Sequence, residues 1–233
     1  MPRQKKANRI AFWKGQFDML PLNLAVLPWG ILCGSLAVQN GFTPIEAQLM
    51  SLLVFAGSAQ LVAIELIAKN TPLLTLLITV FIISARHFLY GLSVRHKLVG
   101  HRLRVRLPVS FVLTDELFAF SHHPKAYQTQ ARLVYALSAG FSFYVFWNIW
   151  TLIGVVAGSL LPDLTNLGLD FAIAATFIAL VIPSIKNKAT LATVVTAGIS
   201  ATSFKVMGLE LWLVLAALLS MSVGYWVDKG VQS

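Results

Sequence analysis

The sequence predicts an all-α, polytopic membrane protein of about seven spans, because charge is scarce and apolar residues come in long runs. Only 12% of the 233 residues are charged, 57% are hydrophobic, and mean hydropathy is +0.75. A soluble domain carries about 25% charged residues, so this chain cannot cover a water-facing surface. Its 18 Lys and Arg gather in clusters between apolar runs, although net charge is +9. That is the pattern of loops against an anionic membrane face.

The elements follow in order. Residues 1–16 read as a basic cytoplasmic tail carrying Arg3, Lys5, Lys6, Arg9 and Lys14. Candidate spans are 18–38, 45–68, 72–94, 133–161, 167–185, 189–204 and 207–227, set against the about 20 apolar residues a helix needs to cross a bilayer. The run 107–120 is too short to span alone, and reads as re-entrant or as a short buried helix. Pro21 and Pro28 interrupt the first run, and no small-residue cleavage site follows it, which argues against a signal peptide. The whole chain, 1–233, reads as one transmembrane domain. Thr43, Pro44 and Glu46 make a capping box at the second run, and Thr71-Pro72 reads as a similar start for the third.

Charge placement raises a topological conflict. A second basic cluster, Arg95, Lys97, Arg102, Arg104 and Arg106, follows the third run. The positive-inside rule wants both clusters in the cytoplasm, yet three full crossings would separate them. The second run is the one expected not to cross. Its centre, Phe55-Ala56-Gly57-Ser58-Ala59-Gln60, is small and polar, which suits a broken or re-entrant helix. Gly30–Leu36 also resembles Gly154–Leu160, and Lys69-Asn70 resembles Lys186-Asn187-Lys188, in matching order. The glycines alone read as a common GxxxG packing face, and the matching order of the runs brings a three-span repeat level with that reading.

Polar residues inside apolar runs carry the functional signal, because an ionisable side chain in a span costs about 2.5–3.5 kcal/mol on insertion scales. Arg86 and Tyr90 share a helix face, with His87 about 100° away. Arg86 lies too far from the loop to snorkel, and its planar fork suits a substrate carboxylate. Asp115 is a candidate partner for Arg86 or a proton carrier, with Thr114 and Glu116 beside it; a helix-capping role competes for both acids. Gln60 and Ser58 are the polar groups of the broken run. Glu65 is an even choice between site and surface, while Asp170 and Glu210 read as interfacial.

Other classes find little footing. No GxSxG, HExxH or phosphate-cradling glycine loop is present, so an enzyme is not expected. The lone Cys33 excludes an intramolecular disulfide, no Cys/His set has zinc-ligand spacing, and no cofactor is implied. The basic loop 95–106 has no interleaved aromatics for base stacking, which argues against nucleic acid.

Three stretches together, Met50–Gln60, Ala85–Gly91 and Leu113–Glu116, resemble the AzlC-type family, the large subunit of bacterial branched-chain amino acid exporters. The resemblance runs from about Phe17 to the C-terminus. It implies an inner-membrane permease exporting valine, leucine, isoleucine and methionine, with a small hydrophobic AzlD-type subunit as partner. On that reading Arg86 holds the carboxylate, Asp115 or Gln60 the ammonium, and Phe55 or Phe88 lines the apolar pocket. Gly57, Ser58, Tyr90 and His87 complete the substrate site, and Asp115, Glu116 and Thr114 form the ion-coupling group. A non-transporting assembly subunit, or a channel for another small solute, is the alternative.

Overall fold

A computed structural model describes residues 2–121, 127–160, 178, 181–182, 185–209 and 211–232. Among them are helices α1 (Pro2–Ala25), α2 (Leu27–Gln39), α3 (Pro44–Val54), α4 (Gly57–Ala68), α5 (Leu73–Leu98), α6 (Leu103–Phe111), α7 (Asp115–Ser121), α8 (Gln130–Leu160), α9 (Lys188–Val206) and α10 (Trp212–Gln232). The chain forms two compact units, Met1–Leu169 and Asp170–Ser233. In the second, α9 and α10 pack together, and Gly224 leaves room for Thr193. Asn187 caps α9 by accepting from the Thr190 amide at 2.7 Å.

By length and apolarity, α5, α8 and α9 are each able to cross a membrane, and α1 with α2, bent by 54° between them, pass the same test as a pair. The first run is therefore broken at Val26, with Pro28 opening α2. The expected tail at 1–16 is the first part of α1. Of the other expected spans, 167–185 lies largely outside the described residues and 207–227 falls mainly in α10. The capping box forms as expected, the Thr43 amide donating to Glu46 Oε2 at 2.8 Å and the Glu46 amide to Thr43 Oγ1 at 3.3 Å. The start expected at Thr71 differs: Pro72 is the N-cap of α5 and no side chain caps it.

The bent first span and α8 lie side by side and run the same way. Asn23 Nδ2 donates to Ser142 Oγ at 2.9 Å, and Trp150 Nε1 to the Asn23 carbonyl at 2.8 Å. Further along, a Cβ on Gly30 would meet Trp150, one on Gly34 the backbone of Thr151, one on Gly154 the backbone of Ile31, and one on Gly158 Ser35. The two similar glycine motifs thus pack on each other. With lipid as apolar as any side chain, such close backbone approach is what holds membrane helices together.

The second run does not continue straight. Phe55 takes a left-handed conformation, φ 44°, and the chain doubles back there. Gln60 Nε2 donates to Ser51 Oγ at 2.7 Å. Nine residues of straight helix would hold those positions about 13 Å apart. Ala47 and Ile64, on opposite arms, share one buried cluster with Ala37 and Val155. The run 45–68 is therefore a re-entrant hairpin, and α5 leaves from the end at which α3 entered.

A second hairpin comes from the other end. After α5 finishes at Leu98, α6 turns back, and Asp115 reaches Arg86, 12 residues or about 18 Å before that finish. Then α7 follows the direction of α5, since Arg86 pairs with Asp115 and Tyr90 stacks on Phe118. The run 107–120 is thus two helices broken at Val112–Thr114, with Val109, Val112, Leu113 and Leu117 buried and Leu107 exposed.

This path removes the charge conflict. The first span and α8 run one way and α5 the other, so the start of α1 and residues 95–106 share one end of the unit. The positive-inside rule assigns that end to the cytoplasm. Cys33 is buried, so introduced cysteines report cleanly. Single cysteines placed beside Arg3 and beside Arg102 are both expected to resist an impermeant thiol reagent applied outside intact cells. Labelling of one and not the other would mean that 45–68 crosses.

Candidate functional site

The two hairpin tips meet, and the polar residues singled out in the sequence gather there. On α5, Arg86 holds both. Its Nη1 lies 2.8 Å from Asp115 Oδ2 at the start of α7, and its Nη2 donates to Ser58 Oγ at 2.8 Å in the first turn of α4. The pair is partly open, the two side chains being 32% and 30% exposed. Each partner keeps an atom in reserve: Arg86 Nε and Asp115 Oδ1 are buried and unbonded. A buried ion pair is favourable only when its remaining lone pairs and protons find partners, and these two atoms have none.

Aromatic residues seal the junction. Phe55, at the first tip, stacks on Phe111 of α6 with centroids 5.9 Å apart, and meets Tyr144 of α8 edge-on at 4.9 Å. Tyr144 also meets Phe111 at 5.3 Å, and its hydroxyl donates to the Leu52 carbonyl at 3.0 Å. The left-handed backbone of Phe55 costs about 1–3 kcal/mol, which this packing must offset. Across the second tip, Tyr90 stacks on Phe118 at 4.4 Å and stands beside Asp115.

Behind the first tip lies a buried polar chain. Gln60 donates to Ser51 Oγ, which bonds Thr151 Oγ1 of α8 at 2.9 Å, and Thr151 donates to the Trp147 carbonyl at 3.0 Å. All three polar side chains are fully buried. Gln60 Oε1 and Trp147 Nε1 remain without partners. The indole of Trp147 presses on Gly57, where a Cβ would stand 2.8 Å from Cη2, so α4 must start with a residue lacking a side chain.

Of the residues picked out in the sequence, Phe55, Gly57, Ser58, Gln60, Arg86, Tyr90, Thr114 and Asp115 come together at the tips. His87 stands at their edge: its Nδ1 lies 3.3 Å from the Ser84 carbonyl and its ring lies edge-on to Tyr90. Glu116 shares the first turn of α7 with Asp115 and is half-buried. Phe88 is 69% exposed and points away from the aromatic cluster. Glu65 pairs with Lys69 at 3.6 Å on an exposed face. Asp170 and Glu210 lie outside the described residues. Sequence reasoning missed Ser51, Phe111, Tyr144, Trp147 and Thr151. The spacing of Phe143, Trp147 and Thr151, one helical turn apart on α8, marks a single face, but an apolar membrane helix has such faces everywhere.

The family model described as AzlC protein matches residues 21–161, which include both hairpins. A membrane protein of Archaeoglobus fulgidus, named only as an uncharacterized one, is 32% identical over 90% of this chain and 91% of its own. The inner membrane protein YgaZ of Escherichia coli is 28% identical over 77% of this chain and 76% of its own. The branched-chain amino acid transport protein AzlC of Bacillus subtilis is 27% identical over 88% of this chain and 80% of its own. No solved structure matches.

Proposed function

Because this chain belongs to the AzlC family of membrane proteins, we propose that it exports branched-chain amino acids, with methionine as a further substrate, across an inner membrane. The export is driven by an ion gradient, and a small hydrophobic AzlD-type subunit is its partner. The observation that carries the reading is the incompletely satisfied Arg86–Asp115 pair between the hairpin tips. It offers one buried donor on the cation, Nε, and one buried acceptor on the anion, Oδ1. A free amino acid is the complementary zwitterion: its carboxylate bonds Arg86, and its ammonium bonds Asp115, with the Gln60 carbonyl oxygen as a further acceptor. Phe55 and Phe111 supply apolar surface for an aliphatic side chain. A broken helix at a transporter midplane does the same work elsewhere by exposing its ends to substrate and ion. Asp115, with Thr114 and Glu116 beside it, is the coupling group.

Efflux tests this directly. Cells loaded with a leucine-containing dipeptide release leucine internally. Cells carrying this gene and its small partner are expected to clear that leucine several-fold faster than cells lacking both. Equal clearance would overturn the export reading. Clearance that needs the partner but not this chain would reduce the chain to an assembly subunit.

A further inference from the structure

We propose that Trp147 is a second hydrogen-bond donor to the substrate's carboxylate, working beside Arg86; the proposal rests on the amino-acid reading above. The starting point is an unpaired donor. Trp147 is 3% exposed, and its Nε1 is buried with no partner. A buried N–H without an acceptor costs stability, and phenylalanine would give nearly the same apolar contact without that cost. Packing therefore accounts for the ring and leaves the N–H for something that comes and goes.

The ring stands next to Arg86's partner: the outer edge of its six-membered ring, Cη2 foremost, meets Gly57, and Ser58, the next residue, receives Arg86 Nη2. Ala56, the N-cap of α4, makes no side-chain bond to the helix start, so no side chain of the N-cap occupies the first amides of α4. Arg86 turns Nη1 to Asp115 and Nη2 to Ser58, and its Nε–H is buried without a partner. A carboxylate has two oxygens, each able to accept more than one hydrogen bond, so a donor from another helix adds to what the guanidinium offers. The indole supplies the second bond from α8, so the carboxylate ties α5, α4 and α8 together when it binds.

Trp147→Phe keeps the ring and removes the donor. In purified protein, calorimetric titration is expected to show leucine Kd rising at least about tenfold, as loss of a bond to a charged group implies. The melting temperature without leucine should hold or rise, because an unpaired donor has gone. In the parent protein labelled with ¹⁵N at the indoles, leucine should move one indole N–H signal downfield, and that signal should be missing from the Phe variant. Should Trp147→Phe fail to fold, 3-benzothienylalanine at the same position replaces N–H by sulfur with the shape kept. Unchanged leucine affinity in either folded variant, or an indole signal that leucine leaves in place, overturns the assignment. A parent protein that binds no leucine at all overturns the amino-acid reading, and this assignment with it.

Discussion

Replacing Arg86 by Gln is expected to lower leucine efflux by about a hundredfold while the protein still reaches the membrane. Glutamine keeps polarity and removes the charge. The substrate then loses a charge-assisted bond worth about 1.5–3 kcal/mol. Asp115 loses its counter-ion as well. Breaking a fully buried pair costs about 3–5 kcal/mol, and here less, on the order of 2 kcal/mol, because both side chains are about one-third exposed. Stability and transport separate in the double variant. Arg86→Gln with Asp115→Asn removes both charges, so its melting temperature should recover toward that of the parent, while efflux stays lost. The measurements are membrane protein level, thermal unfolding in detergent and efflux from dipeptide-loaded cells. Normal efflux from the single variant would remove Arg86 from the site.

Asp115→Asn alone is expected to separate uphill export from downhill exchange. Export against a gradient needs energy, and the sequence has no phosphate-cradling loop to draw it from a nucleotide. A carboxylate that gains and loses a proton as its arginine partner takes up substrate is a direct way to couple the two. The amide imitates the protonated state permanently. Uphill efflux should fall to the background of cells lacking the gene, while exchange of labelled for unlabelled leucine across proteoliposomes continues. Uphill efflux that persists in the Asn variant and still collapses with a protonophore would move the carrier elsewhere. Glu116, in the same helical turn, and His87, beside Tyr90, would then be the residues to change.

Much of this molecule is legible in the linear chain. Scarce charge and long apolar runs require helices in a bilayer. Two basic clusters that the positive-inside rule wants on one side, with Gly57, Ser58 and Gln60 between them, point to one run that turns back, and it does so at Phe55. Arg86 and Asp115 stand out because charge in hydrocarbon needs a reason. Thr43, Pro44 and Glu46 act locally, within one turn, and so read correctly. Thr71 does not: Pro72 takes the cap, and the choice between adjacent residues rests on the path the chain follows out of α4.

Tertiary structure alone decided which residues meet. Asp115 reaches Arg86 because α6 and α7 fold back beside α5, and nothing in the spacing of the two residues requires that. Trp147 lies on Gly57, and Thr151 on Ser51, because α8 runs beside the first hairpin. Phe55 and Phe88 look alike in sequence, yet Phe55 is buried among aromatics and Phe88 is exposed. In water, a hydrophobic side chain points inward, so sequence reveals the core. In a bilayer, the lipid-facing and the packed positions are equally apolar, and hydrophobicity no longer tells one face of a helix from another. Only the close approaches at glycines, and the partners that buried polar atoms find across helices, mark the inside.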